Sequence, residues 1–135
     1  MNEGDKCKVT RGSAEIEWCA KERIAVIRYA ENANLTAPDG RFLADSLQGW
    51  IGDEREPFSV LSFSREIRGT DAAYRTIASA FFRKHRDTVH LALMDASFVL
   101  TVVSEMFRVG SGIPLKTFSD ETAARVWLAT SRGGR

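Results

Sequence analysis

The side chains able to do chemistry in this sequence are few and scattered. His85 lies in the run Arg83-Lys84-His85-Arg86 at the end of a helical pattern. There its charge complements the negative end of the helix dipole. His90 lies inside an apolar strand pattern, where a lone histidine is usually structural or solvent-facing. Cys7 and Cys19 are too far apart for a C-x-x-C pair, and no second pair completes a zinc or redox site. No G-x-S-x-G elbow, H-E-x-x-H pair or EF-hand loop occurs. Gly110-Ser111-Gly112 follows a helix and precedes a strand, the reverse of the order that aims helical N–H groups at a phosphate. Asp71, Asp95 and His90 are the only acid–base set that could be assembled, and their spacing does not join them. The expectation is therefore no catalytic residue, no metal ligand and no cofactor.

Binding is better placed than catalysis. In an open α/β sheet, ligands and partners meet the carboxyl ends of the strands. Here that edge gathers Ser64 to Asp71, Asp95 to Ser97, and Ser119-Asp120. Such hydroxyls and carboxylates also serve as helix N-caps. The basic run at Arg83 lacks an aromatic stacking platform, and Asp53-Glu54-Arg55-Glu56 reads as a solvated loop. With 19 basic and 18 acidic residues the net charge is +1, which argues against a nucleic-acid binder.

These residues must be held by a core, and 135 residues with 44% apolar and 27% charged side chains suffice for one domain. The ordered part is expected over about 14–128, with both termini frayed. No apolar stretch is long enough to cross a membrane, and the first residues lack a signal-peptide core, so a cytoplasmic protein is expected. The alternation Glu15, Ile16, Glu17, Trp18 predicts a half-buried strand. Ala20-Lys21-Glu22 breaks it. Arg23 to Tyr29, apolar on both faces, predicts a more central strand, and the two make a β-hairpin. Phe58–Phe63, Val89–Met94 and Ile113–Phe118 are the remaining strands, with Pro114 marking either the start of the last or an edge position.

Four helices alternate with these strands. Thr36 caps the first, which carries Leu43, Leu47, Trp50 and Ile51 on one face and stops at Gly52; Gly40 weakens it. Thr70 or Asp71 caps the second, with Ala73, Ile77 and Phe81 as its stripe. Ser97 opens a third, through about Val109, that is apolar nearly all round. Ser119 caps the fourth, with Ala123, Val126 and Trp127. The resulting fold class is α/β: a sheet of about five strands, mostly parallel, with an antiparallel N-terminal edge hairpin and about four helices.

The order β-β-α-β-α-β-α-β-α resembles the STAS domain (sulfate transporter and anti-sigma factor antagonist), and more closely the bacterial STAS/SEC14-like, or SpoIIAA-like, proteins. The residues carrying the resemblance are Val60 to Ser64 through Gly69 to Tyr74, the helix opening Leu35-Thr36-Ala37-Pro38-Asp39, and Leu115 to Glu121 followed by Ala123 to Leu128. In anti-sigma antagonists of this family an Asp-Ser-Ser opens the second helix, and a kinase phosphorylates the first serine. Asp71 matches the aspartate, but Ala72 and Ala73 stand at the serine positions.

The resemblance implies a non-enzymatic regulatory domain that binds an unidentified protein partner through Ser64, Thr70, Asp71 and Tyr74. The SEC14-like side of it implies an alternative, a carrier or sensor of a small hydrophobic ligand. That ligand would lie between the sheet and the third predicted helix, against Val102, Val103, Met106 and Phe107. The same residues, or an exposed strand edge, would serve a homodimer.

Overall fold

The computed structural model describes residues 6–52, 56–95 and 112–133. Six strands form the main sheet: β1 (Lys6–Arg11), β2 (Ala14–Cys19), β3 (Ile24–Tyr29), β5 (Phe58–Phe63), β7 (Val89–Met94) and β8 (Leu115–Phe118). Their spatial order is β1-β2-β3-β5-β7-β8. The first three pair antiparallel, and β3, β5, β7 and β8 pair parallel. A second sheet joins β4 (Ala33–Leu35) to β6 (Ile67–Thr70) in parallel. The helices are α1 (Ala37–Ile51), α2 (Ala72–Lys84) and α3 (Glu121–Gly133).

The predicted hairpin is present as β2 and β3, with Ile16 opposite Ile27 and Trp18 opposite Ala25. As expected, it belongs to the antiparallel N-terminal edge of the sheet, which holds one strand more. β1 lies outside it, and the expected frayed N-terminus is a strand from Lys6 onward. Its sequence, KCKVTR, hides this because only Val9 packs on the core. Backbone pairing holds it instead, after a turn at Gly12, whose φ of 56° suits glycine. The sheet has six strands where about five were expected, with Cys7 exposed on β1 and Cys19 half-buried on β2.

β4 and β6 were also outside the expected strands. Three- and four-residue segments carry too little periodicity to read. They form because each continues past the end of a parallel neighbour, β4 after β3 and β6 after β5. At the other end of the chain, Asp120 rather than Ser119 caps α3: its carboxylate accepts the Ala123 N–H at 2.9 Å. α3 also runs on to Gly133, past the ordered part expected to end at about 128. The helix predicted from Ser97 to about Val109 lies outside the described residues.

Both faces of the sheet are covered. Leu43, Leu47 and Ile51 of α1 and Ala78, Phe81 and Phe82 of α2 pack on Ile16, Trp18, Ile27, Phe58, Val60 and Leu91. Trp18 and Trp50 stack there with ring centroids 6.0 Å apart. On the opposite face Ala124 and Leu128 of α3 cover Ile24, Val26, Leu61, Ala92 and Met94. This two-sided burial explains why β5 and β7 are nearly continuous apolar runs.

Candidate functional site

Alternation along the parallel strands sends Tyr29 and Ser62 to the α2 face at the carboxyl end of the sheet. Ile27 pairs with Ser62, and Ser62 pairs with Leu93. The chain leaves β5 through Ser64, which is 1% exposed, turns, and returns as β6 to Thr70. Asp71 then caps α2 by accepting the Tyr74 N–H at 2.8 Å. The first turn of α2 thereby directs Tyr74 back over the strand ends, where it packs beside Ala33, Leu35, Ile67 and Tyr29.

The result is a hydroxyl cluster. Ser62 Oγ and Ser64 Oγ are 3.1 Å apart, and Ser64 Oγ donates to the Ser62 carbonyl at 3.3 Å. Ser62 and Tyr74 both reach the Tyr29 hydroxyl. One proton assignment satisfies all four groups: Tyr74 donates to Tyr29, Tyr29 to Ser62, Ser62 to Ser64, and Ser64 to the Ser62 carbonyl. Burial raises the Tyr29 hydroxyl above its ordinary pKa of 10.0; the hydrogen bonds it shares with Ser62 and Tyr74 offset part of this, and the Asp39 carboxylate adds to it. Burial raises Tyr74 further, reinforced by Tyr29 and then Asp39. Both phenols therefore stay protonated donors across the physiological range.

Below this cluster lies a cavity of about 80 Å³ between α2 and the sheet. Its walls are mostly apolar, including Ile27, Leu43, Val60, Phe82, Leu91 and Leu93. Its polar end holds Tyr29, Ser62, Ser64, Thr70, Tyr74 and Arg75. Arg75 Nη1 donates to the Thr70 carbonyl at 2.7 Å and to Thr70 Oγ1 at 3.0 Å. Among the described residues no carboxylate pairs with this half-buried guanidinium.

Three of the four expected binding residues, Ser64, Thr70 and Tyr74, thus meet at one cavity. Asp71 does not line it and sits exposed at the helix start. Sequence reasoning missed Tyr29, Ser62 and Arg75. Tyr29 and Ser62 read as ordinary strand residues, and only the parallel register places them together. Val102, Val103, Met106 and Phe107 lie outside the described residues. The other candidates are dispersed. His85 Nε2 donates to Gln48 Oε1 over 3.0 Å, and the ring packs on Phe58 and Phe81. His90 meets the Trp127 ring edge-on at 5.8 Å on the α3 face, whereas Asp71 caps α2 on the other. Asp95 follows β7 with a left-handed φ of 56°, its N–H bonded to the Phe118 carbonyl. Among the described residues no group of acids, histidines and cysteines could hold a metal ion, and no helix is long and apolar enough to cross a membrane.

No family model and no curated protein matches the sequence. Among solved structures the chain is similar to an uncharacterised protein of the DUF3478 family from Shewanella loihica PV-4, which has a SpoIIAA-like fold. The two superpose with a TM-score of 0.65 over 90% of this chain and 98% of that one, at 14% identity. An identity this low speaks to architecture alone, and the architecture agrees with the strand and helix order derived above: the chain has a SpoIIAA-like fold.

Proposed function

We propose that this domain is a non-enzymatic regulatory module that binds a protein partner through the corner where β6 enters α2. The observation that supports this reading is the contrast at that corner. Asp71, Ala72, Ala73 and Thr76 are exposed, while Ser64 and the Tyr74 ring beneath them are fixed in the hydroxyl cluster. A preorganised surface of small side chains gives a partner close access at little ordering cost. Ala72 occupies the phosphoacceptor position of the related antagonists, and Ser64 is buried, so partner release by phosphorylation at this corner is not part of the proposal.

The structure changes which variant should test this. Asp71→Lys would remove the α2 cap as well as alter the surface. Ala73→Glu leaves the cap intact and adds a bulky charge to an exposed helical site. The protein purified from its own host, with and without this substitution, should be compared by native mass spectrometry. A partner that co-purifies with the wild type and is lost from Ala73→Glu supports the corner as the interface. Equal recovery with both proteins rejects it.

A second reading is favoured by the cavity, that of a sensor for a small ligand. A volume of about 80 Å³ is well below the several hundred Å³ of drug-sized sites, so a long-chain lipid does not fit it.

A further inference from the structure

Among the described residues the Arg75 guanidinium has no counter-ion, and this cation and the void beside it call for the same kind of occupant. A half-buried cation without a counter-ion is unusual, because removing charge from water is compensated by pairing. Two of its N–H···O bonds, both from Nη1, go to Thr70. Nε and Nη2 remain available in the fork geometry that suits a carboxylate. The apolar walls then set the other half of the ligand. An apolar cavity of about 150 Å³ accepts benzene, so one of about 80 Å³ accepts roughly three to four carbon atoms.

We propose that this cavity binds a short-chain aliphatic monocarboxylate, its carboxylate on Arg75 and its chain among Ile27, Leu43, Val60, Phe82, Leu91 and Leu93. The proposal rests on the ligand-sensing reading and is independent of the docking corner. Asp39 is the acidic group that works against it, since its charge acts on both tyrosine hydroxyls. It is already engaged, accepting the Thr36 N–H at 2.8 Å and the Thr36 hydroxyl at 3.2 Å. Its opposition makes a specific prediction: Asp39→Asn keeps an oxygen for these bonds, removes the like charge and tightens acid binding severalfold.

The test is a calorimetric and NMR titration of the full chain with sodium acetate, propionate, butyrate, valerate and hexanoate, with 1-butanol as the neutral control. Butyrate or valerate should bind most tightly, acetate and hexanoate more weakly, and butanol at least tenfold more weakly than butyrate. Arg75→Gln should cost the acid about tenfold or more, while Arg75→Lys retains part of the affinity. Ala78→Leu, which places an isobutyl group in the cavity, should abolish binding with the fold retained by circular dichroism. No saturable binding of any acid, or no loss in Arg75→Gln, overturns the proposal. Butanol binding as tightly as butyrate overturns the carboxylate assignment while leaving a ligand-sensing cavity in place.

Discussion

At the scale of single residues, the Tyr74 hydroxyl heads the buried chain through Tyr29, Ser62 and Ser64. It is the one member whose removal leaves every later proton with an acceptor. Tyr74→Phe should therefore cost only about 1 kcal/mol by urea denaturation, the usual net value of one hydrogen bond. Ser62→Ala should cost more, because it strands the protons or lone pairs of groups on both sides of it. The chain also predicts a pH dependence. Tyr29 and Tyr74 have folded-state pKa values raised above the ordinary 10.0, first by burial. The folded state thus holds these protons more tightly than the unfolded one. Their contribution is complete below about pH 10 and is lost as pH rises through the raised folded values. Wild-type stability measured between pH 9 and about 11.5 should fall more steeply than that of Tyr74→Phe.

At the scale of elements, α1 and α2 are held together by a close approach. A Cβ on Gly40 would stand 3.1 Å from Ile77 Cβ and 3.4 Å from Tyr74 Cδ1. The sequence presents Gly40 as a weak point of a helix. In the structure it is what lets α2 lie against α1 and brings Tyr74 to the strand ends. Gly40→Ala gains about 1 kcal/mol of helix propensity but meets Ile77 at its branch point, which cannot swing aside. The expected net effect is destabilisation of about 1 kcal/mol, with weakened ligand binding at the cavity; a thermal melt and the butyrate titration check both. Asp71→Ala should cost α2 about 1 kcal/mol through the lost cap.

At the scale of the whole molecule, the two sheet faces carry separate packed clusters. The α1–α2 face contains the cavity and the proposed docking corner. The α3 face contains His90, Trp127 and a second apolar cluster that closes the sheet from behind. Leu128→Ala should lower stability by about 3 kcal/mol, since the residue is 2% exposed in that cluster. Ligand titrations performed well below its melting temperature should be unchanged. At the open edge, β1 carries Lys6 and Lys8, charges that oppose strand addition by another chain.

The sequence by itself determined what depends on neighbours along the chain. Alternation at Glu15 to Trp18, the caps at Thr36 and Asp71, and the apolar runs at Phe58 and Val89 are local signals, and each marked its element. The order of these elements then sufficed for a mostly parallel sheet and for the resemblance to SpoIIAA-like domains. Part of the candidate site was legible as well, because Ser64, Thr70 and Tyr74 stand in one strand–helix connection. What only the tertiary structure decided depends on residues distant in sequence. β1 is a strand because β2 offers its backbone, and β4 and β6 exist only beside each other. Tyr29 joins Ser62 because β3 and β5 pair in one parallel register, and the Arg75 guanidinium reaches the cavity only where the helix packs over the sheet. Burial and pairing of this kind are set by the three-dimensional arrangement, and no local pattern encodes them.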